Sequence, residues 1–282
     1  MKNKKINQIG IMILLLAFTS CDEVIDVPLN NTAPRIVIEA LITDREPAKV
    51  IISKTGDFYA PSVFPLVSGA VVTISDDNGN VVTLNEIKSG FYYADSLYGF
   101  TGRTYRLKVL AEGKEYTAST KMETPILIDS LSYEANSGEG GPLSGGAGKG
   151  KPGFIVHCYF RDKSNTRDFC MLKVNRTDST GANYYNDDFF LYNSKYNNSL
   201  AVDYSRFGQR FEKGDLVHVE LMCLEEAVYS YFSTLNDIIA KGRAGGLVST
   251  GTPANPNSNI SNGALGYFAA YSVQRDSIKI VN

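Results

Sequence analysis

The sequence predicts a mainly β protein, and three observations carry that prediction. Its aromatic residues are 17 Tyr and 14 Phe with no Trp, a mixture that suits pleated surfaces. Twenty-five Gly and ten Pro break the chain at short intervals. Between those breaks lie short β-branched and aromatic runs instead of helical periods. The expected architecture is an N-terminal immunoglobulin-like β-sandwich over 35–125, then a second β-rich domain over 126–282 with one amphipathic helix.

At 282 residues the chain has room for two domains of roughly 100–200 residues each. Hydrophobic residues make up 43% and charged residues 21%, ordinary globular usage that argues against global disorder. The net charge of −2 supplies no basic field, so nucleic acid is not an expected partner.

Residues 1–20 have the order of a secretory leader: a basic start (Lys2, Lys4, Lys5), an apolar run from Ile9 to Phe18, then Thr19-Ser20. The run is about half the roughly 20 residues needed to cross a bilayer core. Small residues lead directly into Cys21, as in the bacterial lipoprotein box, although Phe18 stands where Leu is usual. Cys21 is therefore the expected lipidation site, and several acyl chains anchor stably at about 0.8 kcal/mol per buried CH₂. Asp22-Glu23 resemble the acidic surface-export signal of Bacteroidetes-type lipoproteins, so the expected location is the outer membrane, facing the cell surface. Residues 21–34 then read as a polar, Pro-bounded tether.

Strand-like runs follow at 36–42, 49–53, 70–74, 81–84, 91–94, 104–109 and 115–120. Asn78-Gly79 inside the loop after Ile74 is a hairpin cue, since both residues tolerate positive φ. Asp76, Asp77 and Asn78 lack the spacing and distal Glu of a calcium loop, which makes them a solvated tip. Beyond Pro125 come Asp129–Tyr133, Phe154–Phe160, Phe169–Val174, the aromatic segment Tyr184–Tyr192 and Leu216–Leu221. A helix is expected over 225–241, where Val228, Tyr231, Phe232, Leu235, Ile238 and Ile239 form one apolar stripe suited to packing on a sheet. The chain closes with an expected strand pair, 266–273 and 277–281.

No catalytic, metal or cofactor motif emerges. Gly148-Lys149 is not a phosphate loop, because Leu143 occupies the first glycine position and Gly150 the Ser/Thr position. His157 and His218 with Cys158 and Cys223 lack metal-ligand spacing, and adjacent His157 and Cys158 point to opposite strand faces. Cys158 and Cys170 fall on neighbouring runs of one expected hairpin and could face each other, either as a disulfide or as two buried small residues. An Asp-Ser pattern at Ser96, Ser130, Ser179 and Ser277 is similar to a Bacteroidetes O-glycosylation acceptor. The loops 137–153 and 242–262 and the tip 58–65 are the expected interaction surfaces, with no individual ligand-binding residue assigned.

Three blocks carry a family resemblance: Ser68–Gly79, Gly90–Ser96 and Gly102–Tyr105, with Ile128–Leu131 and the closing Asn259–Phe268 as later signatures. They resemble the Bacteroidetes outer-membrane lipoproteins known as domain-of-unknown-function family 4249. The resemblance implies a first domain similar to carboxypeptidase regulatory domains and a non-catalytic role beside a TonB-dependent, SusC-type transporter, aiding cargo capture or gating. A structural or adhesive envelope protein is the alternative.

Overall fold

Alternation of apolar and polar side chains builds the first half of the chain. The computed structural model describes residues 33–56, 64–136, 152–163, 167–185, 187–196, 201–205, 207, 210–243 and 255–281. In it, β1 (Ile36–Thr43) turns Ile36, Ile38, Ala40 and Ile42 inward, and β2 (Ala48–Lys54) does the same with Ala48, Val50 and Ile52. After them come β3 (Val71–Asp76), β4 (Val81–Thr83), β5 (Asn85–Lys88), β6 (Phe91–Ala94), β7 (Thr104–Ala111) and β8 (Lys114–Lys121). The hairpin between β3 and β4 closes on Gly79 at φ 88°. Asp76 accepts hydrogen bonds there from Asn78 and Asn80, so its carboxylate is occupied by the turn itself.

The second half contains β9 (Ile128–Asn136), β10 (Gly153–Arg161), β11 (Phe169–Thr177), β12 (Asn183–Tyr184), β13 (Phe190–Asn193), β14 (Ala201–Tyr204) and β15 (Leu216–Leu224). Helix α1 (Glu226–Arg243), β16 (Leu265–Tyr271) and β17 (Val273–Lys279) complete the chain. The aromatic segment 184–192 is not one strand, because a break separates β12 from β13 and both pair separately with β11.

Four sheets form two sandwiches. The first stacks β16-β1-β2-β6-β5 on β4-β3-β7-β8 around one apolar core, and the second stacks β14-β10-β9 on β12-β11-β15-β17 around another. A third cluster, including Val228 of α1, Met171 of β11, Met222 of β15 and Ala269 of β16, lies where the helix meets both sandwiches. Tyr231 and Phe232 stack near Tyr267, at 4.9 and 5.0 Å between ring centroids. The first turns of α1 therefore pack on sheet as expected, whereas Ile239 is exposed.

Three expectations about connectivity are corrected. The closing strands do not pair with each other: β16 runs parallel to β1, from Val37↔Leu265 to Thr43↔Tyr271, while β17 runs antiparallel to β15. Residues Ile260, Ala264, Phe268 and Ala270 accordingly sit in the first core, so a boundary at 125/126 does not divide the body into two continuous pieces. Pro34–Asn282 forms one compact unit. Finally, β10 and β11 are not a hairpin, because the segment between them carries the chain from one sheet of the second sandwich to the other. Its polar residues serve that crossing: Asp168 accepts from the Lys163 N–H at 3.0 Å, its own N–H donates to Ser194 at 2.8 Å, and the Tyr192 hydroxyl donates to Asp162 at 2.7 Å.

Candidate functional site

The same alternation that fills the second core sends a second set of side chains outward from the β11-β15-β17 sheet. Leu172 and Val174, with Val217, Val219 and Leu221, face inward. Their neighbours in sequence face out and meet across the strands in rows. Asn175, His218 and Ser277 form one row, and Lys173, Glu220 and Arg275 the next. The short β12 pairing then brings Asn183 opposite Thr177 and carries Tyr185 to the rim.

All of these outward residues except Lys173 line an open cleft of about 450 Å³. That lies within the roughly 300–1,000 Å³ usual for small-ligand sites. The Thr177 hydroxyl bridges Asn183 Oδ1 at 2.6 Å and His218 Nε2 at 3.2 Å. Arg275 Nε donates to Glu220 at 2.7 Å, and Arg176 donates to the buried Asp215 at 3.0 Å while lying over the Tyr184 ring. The turn before β12 is tied by Asp178, which accepts from Thr180, Ala182 and Tyr184. Those hydrogen bonds, that of the Thr180 hydroxyl foremost, lower the Asp178 carboxyl to about 2. Tyr185 is 80% exposed, an unusual setting for so large an aromatic ring.

The residues that sequence spacing singled out are scattered. His157 lies on the outer face of the other sheet, its Nδ1 2.8 Å from Asp203 and its Nε2 3.6 Å from Glu134, while Cys158 beside it points into the core. His218 is in the cleft, on a different sheet. Cys170 stands opposite Cys223 instead of Cys158, with sulfurs 3.9 Å apart. All three thiols are free and buried, and Cys223 Sγ accepts the Ile126 N–H at 3.1 Å. Burial pushes Cys158 up to about 12, and the Cys223 hydrogen bond with burial pushes Cys170 well above the ordinary thiol range. The hydrogen bond with Cys170 lowers Cys223, but Cys223 is buried like the other two, so none of the three combines a depressed pKa with the exposure of a nucleophilic thiol. Among the described residues no group of three or more His, Cys, Asp or Glu is placed to hold a metal ion. Ser96, Ser130, Ser179 and Ser277 are all exposed, Ser277 within the cleft.

The expected leader 1–20, the expected lipidation site Cys21, the expected tether as far as residue 32, and most of the three expected interaction segments (57–63, 137–151 and 244–254) lie outside the described residues. The end of the last segment is described, and it is structural. Asn259 forms a closed pair of hydrogen bonds with Phe268: its Nδ2 donates to the Phe268 carbonyl at 2.8 Å, and its Oδ1 accepts the Phe268 N–H at 2.9 Å. Ser261 bonds the β8 backbone through its N–H and its hydroxyl, and Asn262 donates to Glu115 O. The closing signature thus fastens β16 and its preceding loop onto the first sandwich.

Comparison with known families returns one match, domain of unknown function DUF4249, over residues 22–277. The chain belongs to the DUF4249 family. The comparison with curated proteins finds no match. For this DUF4249 chain, then, the family match spans nearly the whole body, including β16, the segment that completes the first sandwich. The cleft escaped sequence reasoning because its residues come from strands spread along the chain from 175 to 277. The only local signal was the aromatic Tyr184-Tyr185 pair between polar residues.

Proposed function

We propose that this DUF4249 protein is a non-catalytic lipoprotein of the outer membrane, anchored through Cys21 and facing the cell surface. In this reading it is an accessory subunit of a TonB-dependent, SusC-type transporter that aids cargo capture or gating. The observation that carries the proposal is Cys21 itself: a basic start, a short apolar run and small residues lead into it, and the family match opens one residue later, at 22. The body supports a binding role over a chemical one. It offers an open cleft on a sheet face, and the thiols among the described residues are buried.

The test is a mild-detergent pull-down of the tagged, lipidated protein from its native outer membrane, with mass spectrometry of the co-eluting chains. A stoichiometric TonB-dependent barrel is the expected outcome. Recovery of the lipoprotein alone through several detergents overturns the transporter reading and leaves a structural or adhesive envelope protein. Cys21→Ser separates the anchor from the partner, because it abolishes incorporation of labelled palmitate and releases the body from the membrane fraction. A Cys21→Ser protein that still carries label overturns the assignment of that residue.

A further inference from the structure

We infer that the cleft on the β11-β15-β17 sheet is a binding site for a neutral, polyhydroxylated ligand, an uncharged oligosaccharide, with Tyr185 as its stacking platform. The inference deepens the capture role proposed above, but stands on the geometry of the body and not on the identity of any envelope partner.

Three features select that chemistry. First, the charges of the cleft balance, and both of its arginines are already paired. Its lining contains Arg176, Arg275, Glu220 and Asp276, two of each sign. Arg275 is held by Glu220 at 2.7 Å and Arg176 by Asp215 at 3.0 Å. An anionic ligand would have to break those pairs or lie against carboxylates, and a cationic one would meet the two arginines. Second, the floor is a row of hydrogen-bonding side chains at strand spacing: Asn175, His218 and Ser277 in register, with Thr177 and Asn183 beside them. Amide and hydroxyl groups that both donate and accept match vicinal hydroxyls, which do the same. Third, Tyr185 presents its ring at the rim with 80% of its surface open to water. A ring so placed gains by covering the apolar C–H face of a sugar, and its hydroxyl stays wet.

The platform is also held in place. Asp178 closes the turn after β11, Thr177 pairs with Asn183, and the Arg176 guanidinium lies 4.3 Å from the Tyr184 ring centroid. Tyr185 follows directly, so its backbone is positioned before any ligand arrives.

Affinity electrophoresis tests this with the whole lipidated chain in a polyoxyethylene detergent, which carries no sugar headgroup. The gels contain starch, dextran, xylan, galactomannan or mixed-linkage β-glucan, with alginate as an acidic control. Retardation by at least one neutral polymer is expected. In that gel Tyr185→Ala should bind about tenfold more weakly, the scale of one lost aromatic contact. Asn175→Ala should also weaken binding. Tyr185 is too exposed for its truncation to unfold the sheet, and an unchanged melting temperature checks that. Retardation by none of the neutral polymers, by alginate alone, or equally in wild type and both variants overturns the inference. Retention without a co-purifying barrel overturns only the transporter reading, and a barrel without retention overturns only the cleft.

Discussion

Two stretches of the chain share a vocabulary of Asn, Ser, Gly and Tyr and use it in opposite ways. In the closing segment 259–268, Asn259, Ser261 and Asn262 all commit their side chains to backbone groups of the first sandwich. In the β11-β15-β17 face, Asn175, His218, Ser277 and Tyr185 line an open cleft, and His218 bonds a neighbouring side chain, Thr177. The polarity of the closing segment serves folding. The cleft face has the pattern of any solvated strand surface, yet its outward rows line an open cleft. Polar residues in a family signature are thus not by themselves a functional site; where their hydrogen bonds go decides the matter.

The largest expected effect lies in the closing segment. Gly266 has φ +93°, and a Cβ there would stand 2.0 Å from Ile38 O. Backbone cannot retreat as a side chain can, so Gly266→Ala must push β16 off β1 along a parallel ladder that closes the first core. Losses of about 4–5 kcal/mol are the upper range for single substitutions, and this one belongs there. It should leave the protein unfolded or grossly destabilised in urea titration. Gly181, also at positive φ but with open space around it, serves as the control, and Gly181→Ala should cost only about 1 kcal/mol. Equal effects at the two glycines would erase the distinction drawn between the segments.

Asn259→Ala comes next. It removes both hydrogen bonds to Phe268, whose own side chain is fully buried, and strands a backbone N–H and C=O at the sandwich margin. A loss of about 1–3 kcal/mol follows from the cost of leaving such groups unpaired. The denaturation midpoint reads it, with sugar retention of the folded fraction unchanged. A variant that keeps its stability but loses a ligand would move the closing block into the functional column.

How far the fold could be read from sequence tracks what alternation encodes. Ile36, Ile38, Ala40 and Ile42 announce β1 and its buried face, Asn78-Gly79 announces a hairpin, and Glu225-Glu226 announce the start of α1. Alternation names a face but not a partner. Leu265–Tyr271 reads equally well as half of a terminal hairpin, and only the close approach at Gly266 makes it the parallel neighbour of β1. The same gap misled the cysteines, since Cys170 is on the run next in sequence to that of Cys158 but adjacent in space to Cys223. The cleft was illegible for a further reason: outward polar residues are chosen by solvent in most strands, and nothing local marks the strands whose outward rows converge.

The outer face should tolerate change that the closing segment does not. Glu220→Gln breaks the ion pair with Arg275, whose side chain is 52% exposed, so its stability effect should stay within about 0–1 kcal/mol. If the cleft takes an uncharged ligand, freeing Arg275 should also let alginate retard the variant, where it does not retard the parent. A loss of stability comparable to that of Asn259→Ala would mean that this face, too, is built for folding.

The smallest effect on global stability, and the finest test of the contrast, lies in the turn that positions Tyr185. Asp178 has its carboxyl lowered from 3.8 to about 2, with the Thr180 hydroxyl as the first cause. A carboxyl lowered on folding adds stability above its unfolded value, and that contribution fades as pH falls through about 2. At neutral pH the turn is therefore fully formed, and acidification from about pH 5 toward 2 should loosen it. Asp178→Ala removes the hydrogen bonds at every pH. Because the turn is exposed and local, the melting temperature should hardly move, while retention by a neutral polysaccharide should weaken as Tyr185 loses its fixed position. The dependence of retention on pH across that acid range should then flatten in Asp178→Ala relative to the parent. Retention that is indifferent to Asp178 would show that Tyr185 is placed by contacts other than this turn.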